Sequence, residues 1–250
     1  MVSTDYTFMK KEELGMPILT FKCRKSKGVF AYLVPQKGAT GYAIKRSSEV
    51  FKYLGHNKVI YRSDQEPAIL DLKDRVKNEV SLFTEVVLES TPVGDSQANG
   101  AIENANQYIK AQIKTMFASL QDRYKREIPE DHNCMAWLIT HAAACINRYS
   151  IGEDGKTAYQ RIRMKRFRRD VAEFGECIWY LRANSKDEKS LRSRWHNGIF
   201  LGIIDRSNEI LVGTDKGVIK CISFIRKGSY GERWNWEQFS KFVGTPWEKA

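Results

Sequence analysis

The sequence predicts an α/β fold: a mixed five-stranded sheet with helices on its faces, followed by a small β-barrel. Three observations predict it. Over the first 90 residues, segments rich in Ile, Val, Phe, Tyr and Thr alternate with helix-spaced stretches in the order βββαβαβ. A long amphipathic stretch and a second, more apolar helical stretch then run to about residue 148. From Phe174 the texture changes to short alternating strands.

The first three strands are expected around Ser3–Met9, Pro17–Arg24 and Val29–Pro35, with Gly15, Gly28 and Gly38 allowing an antiparallel meander. Thr40–Leu54 reads as a helix, with Ala43, Val50 and Leu54 suitably spaced and Gly55 as its stop. Lys58–Ser63 is the fourth strand. Glu66–Val76 is a second helix with Pro67 in its first turn, and Leu82–Leu88 the fifth strand. Such an order fits a mixed sheet with flanking helices.

Glu89–Gly100 holds Pro, two Gly, Asp and Asn and is expected to be an exposed, mobile loop. Helices are expected from about Ala101 towards Tyr124 and over Asn133–Arg148. The later strands fall at Cys177–Arg182, Gly198–Ile204, Ile210–Gly213 and Val218–Ile225, and Trp234, Trp236 and Trp247 make a tail that packs back on something. The expected division is a core over residues 1–160, a basic linker over 161–173 and a barrel over 174–250.

Charge narrows the partners. Forty-one Lys and Arg face 30 Asp and Glu, for a net charge of +11. Residues 1–160 hold 22 basic and 19 acidic side chains; residues 161–250 hold 19 and 11, so most of the surplus lies in the last third. Such an excess suits nucleic acid or an acidic membrane surface, or serves solubility. No apolar run approaches the length of a membrane span, and the start, MVSTDYTFMKK, lacks the apolar core of a signal peptide. Five scattered cysteines without a CxxC read as reduced structural thiols, and His141 on its apolar helix reads as a buried core histidine.

Three acidic residues stand out by position. Asp5 lies in the first strand, Asp64 at the C-terminal end of the fourth, and Glu103 one turn into the long helix. Strand ends converge on one sheet edge, where ligands commonly bind. Brought together, three carboxylates form an oxygen-only site suited to Mg²⁺ or Mn²⁺. At about 100° per residue, Gln107, Lys110 and Lys114 fall within roughly 40° of Glu103. Ile102, Ile109, Ile113 and Leu120 form a separate stripe facing the core. A solvated face with incidental charge pairs gives the same pattern. The run Arg161, Arg163, Lys165, Arg166, Arg168 and Arg169 suits phosphate tracking or nuclear import, or a solvated linker. The aromatics Phe174, Trp179, Trp195 and Phe200 read as barrel core.

Asp5-Tyr-Thr-Phe8, Arg62-Ser-Asp64-Gln-Glu-Pro-Ala68 and Asn99-Gly-Ala-Ile-Glu103-Asn104 resemble the three acidic motifs of the DDE integrases. Asn147-Arg148 and Gly155-Lys-Thr-Ala-Tyr159 resemble the segment that closes such cores. Gly198-Ile-Phe-Leu-Gly202 is similar to the SH3-like domain after the core in copia-type retrotransposon Pol polyproteins. The resemblance covers almost the whole chain. It departs at the gap of 39 positions from Asp64 to Glu103, longer than is typical of retroviral integrases, and at the nearness of Asp5 to the start, which suggests a fragment with a truncated first strand.

The resemblance implies an RNase H-like core, an SH3-like barrel, and an integrase that trims the 3′ ends of element DNA and joins them to target DNA. It implies Asp5, Asp64 and Glu103 as catalytic, metal-binding residues for two Mg²⁺ or Mn²⁺ ions. Gln107, Lys110, Lys114 and the basic run would contact double-stranded DNA. A homo-oligomer acting in the nucleus after cytoplasmic synthesis, with no membrane partner, completes the expectation. An RNase H-type nuclease and a catalytically silent DNA-binding transposon remnant are the alternatives.

Overall fold

The structure, a computed structural model, describes residues 1–9, 15–91, 96–181 and 194–248, with backbone alone at 96–98. It divides into two units, Met1–Ile113 with Ala142–Arg168, and Lys114–His141 with Arg169–Ala250. The division falls within two helices.

In the first unit β1 (Val2–Thr7), β2 (Ile18–Cys23) and β3 (Val29–Leu33) form an antiparallel meander, and β4 (Lys58–Ser63) and β5 (Glu85–Ser90) add in parallel beside β1. The sheet order is β3-β2-β1-β4-β5. Helix α1 (Gly41–Leu54) starts where Thr40 accepts from Ala43 N (3.2 Å) and stops at Gly55, whose φ of 63° is left-handed. Helix α2 (Pro67–Val80) runs one turn beyond the expected Val76, because Val80 keeps the spacing and is buried. The fifth strand accordingly starts at Glu85 rather than Leu82, which is exposed.

One sheet face, through Leu19, Phe21, Val59 and Tyr61, joins α1 (Val50, Phe51, Leu54) and α2 (Ile69, Leu72, Val76) in one core. Tyr6 on β1 belongs to that core. Successive strand residues alternate faces, so Asp5 and its register partner Thr20 point to the opposite side. There α3 (Ser96–Tyr124) meets them, with Ile102, Ile109 and Ile113 buried. α3 begins inside the stretch 89–100 expected to be a loop; residues 92–95 of that stretch lie outside the described residues. On α4 (Cys134–Tyr149), Asn147 ties to β3 by accepting from Val29 N (2.8 Å) and donating to Val29 O (2.6 Å). A short helix, α5 (Ala158–Arg163), opens with a capping box between Thr157 and Gln160.

The second unit contains β6 (Cys177–Leu181), β7 (Trp195–Ile203), β8 (Ile210–Thr214), β9 (Gly217–Cys221) and β10 (Phe224–Arg226), all antiparallel in the order β10-β6-β7-β8-β9. The expected sixth strand reached Arg182, which lies outside the described residues. The expected single strand Val218–Ile225 is two strands at opposite edges of the sheet, separated only by Ile222 and Ser223. Three residue steps span at most about 11 Å, so the edges approach each other and the sheet curls. The tail forms α6 (Tyr230–Arg233) and α7 (Trp236–Ser240). Trp234, Trp236 and Phe239 surround Tyr124 at ring distances of 5.4, 5.8 and 4.5 Å. Among the described residues no helix is long and apolar enough to cross a membrane.

Candidate active site

Parallel pairing of β1 with β4 puts Val2 opposite Tyr61 and Ser3 opposite Arg62. Continued two residues, this register sets Asp5, the fourth residue of β1, level with Asp64, just past the end of β4. Asp5 is held from α3, where Asn106 Nδ2 donates to its Oδ2 (2.7 Å); the Thr20 hydroxyl donates in turn to Asn106 Oδ1 (2.7 Å). Asp64 turns the chain into α2, its Oδ1 accepting from Glu66 N (3.2 Å). Lys37 closes one side, paired with Glu66 (2.8 Å) and lying over the rings of Tyr6 (5.8 Å) and Phe8 (5.2 Å).

Burial pushes the Asp5 carboxyl up to about 6, and the neighbouring Asp64 and Glu66 charges add to the rise. The hydrogen bonds from the Tyr6 backbone and from Asn106 offset it in part. A buried carboxyl raised in part by a second carboxylate suits a hard divalent cation, which would remove the penalty. The donor set of Asp5 and Asp64 therefore fits Mg²⁺ or Mn²⁺.

Glu103 is placed differently from the expectation. Among the described residues no group of three or more His, Cys, Asp or Glu side chains is arranged to hold a metal, so the three carboxylates do not converge. The reason is helical phase. The face of α3 turned to the sheet carries Ile102, Ala105, Asn106 and Ile109, and Glu103 lies off it, exposed. Asn106 is the α3 side chain that reaches Asp5. Gln107 and Lys114 share the exposed side with Glu103, and Lys110 is half-buried.

The basic run separates into two groups. Arg161 pairs with Asp154, its Nε 3.0 Å from Oδ2, and donates to Ser26 O (3.4 Å). Arg163 lies over the Tyr53 ring (5.9 Å), and Arg169 donates to Asn208 O and Ile222 O. Those three are fastened within their own units. Lys165, Arg166 and Arg168 are exposed.

Lys73 was not singled out from the sequence. It is 1% exposed, and its Nζ donates to Ser63 Oγ (3.0 Å) and Glu89 O (2.6 Å), 5.9 Å from the centre of the Tyr61 ring. Burial lowers its pKa, while Asp74, Asp64 and Glu89 act the other way. Helical spacing was the available signal, since Ile69, Leu72, Lys73, Val76 and Val80 form one buried stripe with a lysine in it.

No protein-family model and no curated protein matches the sequence. Among solved structures the chain is similar to one in the cryo-electron-microscopy structure of the simian T-cell lymphotropic virus intasome in complex with PP2A regulatory subunit B56 gamma. That match has a TM-score of 0.51 and 15% identity and covers 91% of this chain and 78% of that one. The fold is RNase H-like, as in integrase cores. The HTLV-2 integrase catalytic core in complex with magnesium also matches. Its trimeric form gives a TM-score of 0.47 at 16% identity over 64% of this chain and 94% of that one; its dimeric form gives 0.45 at 15% over 66% and 94%.

Proposed function

We propose that this chain is the catalytic core and following domain of a copia-type retrotransposon integrase, a DDE polynucleotidyl transferase from a Pol polyprotein. The observation that carries the reading is the neighbouring placement of Asp5, within β1, and Asp64, just past the end of the adjacent parallel strand β4, in an RNase H-like sheet. Its reactions are 3′-end processing of element DNA and strand transfer into target DNA, in the nucleus after cytoplasmic synthesis. The curled second sheet is read as an SH3-like barrel.

Asp5 and Asp64 would hold Mg²⁺ or Mn²⁺, and Glu103, exposed on α3, would join them as a ligand once that helix is repositioned towards the strand ends. When bound, the ions supply charge neutralisation and Lewis acidity at the phosphoryl oxygens. The chain's own part is positioning, which dominates phosphoryl transfer. Asn106 and Thr20 orient Asp5, and the Glu66 amide orients Asp64. Gln107, Lys110 and Lys114 contact the DNA end, and Lys165, Arg166 and Arg168 contact backbone phosphates further along. A second copy of the chain, bridging two DNA ends, is the expected partner.

One observation favours the rival reading of a silent DNA-binding remnant: Glu103 stands apart from the aspartates. The deciding experiment is transfer of a labelled oligonucleotide into plasmid DNA with Mg²⁺ or Mn²⁺. Wild type should give joined product, and Asp64→Asn should lose at least about 10²-fold with an unchanged circular dichroism spectrum. DNA binding without joining in wild type points to the silent remnant, and preferential cleavage of RNA–DNA hybrids to an RNase H-type nuclease.

A further inference from the structure

A lysine removed from water in a sheet core costs stability, and its retention calls for a use. Lys73 sits on the buried stripe of α2, where an apolar residue would satisfy the packing. Its ammonium meets two oxygens from different strands. One is Ser63 Oγ, which donates onward to Asp64 O (2.7 Å). The other is the Glu89 carbonyl near the end of β5. Beyond that carbonyl, Thr91 donates from its amide to Ser63 O (2.9 Å) and from its hydroxyl to Asn99 Oδ1 (2.8 Å), on the first turn of α3. Gln65 Nε2 also donates to Thr91 O (3.1 Å). The amine is thus the buried knot of a network joining the turn that carries Asp64 to the helix that carries Glu103.

We propose that Lys73 is a positioning residue for the carboxylate site. Through Ser63 it fixes the backbone at Asp64, and through Glu89 and Thr91 it fixes the approach of α3. The inference rests on the reading of Asp5 and Asp64 as cation ligands and adds a residue that touches neither cation nor DNA. A merely structural lysine would affect melting and leave ligand affinity alone. Loss of a positioning lysine lowers cation affinity in variants that still fold.

The test is calorimetric titration of the full chain with Mn²⁺, alongside thermal melting, for wild type, Lys73→Met, Lys73→Arg and Ser63→Ala. Lys73→Met should weaken Mn²⁺ binding about 10–100-fold, the range for loss of a group that orients metal ligands, at temperatures where the variant is fully folded. Lys73→Arg keeps the charge and should recover part of the affinity. Ser63→Ala cuts the connection to Asp64 while leaving the lysine packed. It should weaken binding about 10-fold, and it decides the matter if Lys73→Met does not fold. Wild-type affinity in Ser63→Ala and in any folded Lys73→Met overturns the role of Lys73 and leaves the cation site standing. A wild-type protein that binds no Mn²⁺ overturns both.

Discussion

At the scale of single residues, the site stores an electrostatic cost that the fold bears. Asp5 is drawn up to about 6 by burial and by Asp64 and Glu66, against 3.8 for a free side chain. A carboxyl whose folded pKa lies above its unfolded value stabilises the fold when protonated. That contribution is complete below about pH 4 and is lost as pH rises through about 6. With a chelator present, Asp5→Asn should therefore be more stable than wild type by about 2–3 kcal/mol at pH 7.5, at 1.36 kcal/mol per pKa unit. The difference should vanish near pH 4, because an asparagine carries no proton to lose. Melting curves across that pH range check it; a destabilised Asp5→Asn at pH 7.5 would mean the Asn106 contact outweighs the charge. Wild type, but not the variant, should gain melting temperature on addition of Mn²⁺.

At the scale of elements, legibility followed the polarity of the buried face. Lys58–Ser63 was readable to the residue, since its centre, Val59, Ile60 and Tyr61, is strongly β-forming and turn signals bound it. Ser96–Gly100 was not, because its Ser, Asn and Gly favour loops and helix packing overrides that preference. Asp5 was visible as an acidic residue within the first strand and Asp64 as one at the end of the fourth. Asn106 and Lys73 were hidden, as polar side chains on helix faces turned inward. The motif from Gly198 to Gly202 was recognisable before its reason was. Gly202 occupies a φ of +132° at a bulge of β7, and a Cβ on Gly198 would lie 2.2 Å from Val212 Cγ1 on β8. Gly198→Ala should cost about 1–3 kcal/mol through overpacking. Val212→Ala should return part of that cost in the double variant, as measured by denaturant unfolding. Strict additivity of the two substitutions would show that the contact is not the cause.

At the scale of the whole molecule, the surplus of +11 is unevenly placed, and how it is spent depends on what each cation touches. Arg161, Arg163 and Arg169 belong to the same run as Lys165, Arg166 and Arg168, yet the first three meet a carboxylate, a ring or carbonyls, whereas the latter three are exposed. Composition alone treated all six alike, as phosphate-tracking, import or solvated-linker residues. A cation that neutralises a phosphate releases a counterion, and each such contact adds about 0.9 to the slope of log affinity against log salt. Replacing Lys165, Arg166 and Arg168 together by Gln should therefore lower that slope by about 2.7, with little change in melting temperature. Arg161→Gln should do the opposite. It breaks the ties to Asp154 and Ser26, lowers the melting temperature, and leaves the slope nearly as it was. Fluorescence anisotropy of a labelled duplex across a salt series distinguishes the two. A triple variant with the wild-type slope would make residues 165–168 a solvated connection, and the proposed DNA contact would then have to be sought on α3, at the half-buried Lys110 and the exposed Lys114.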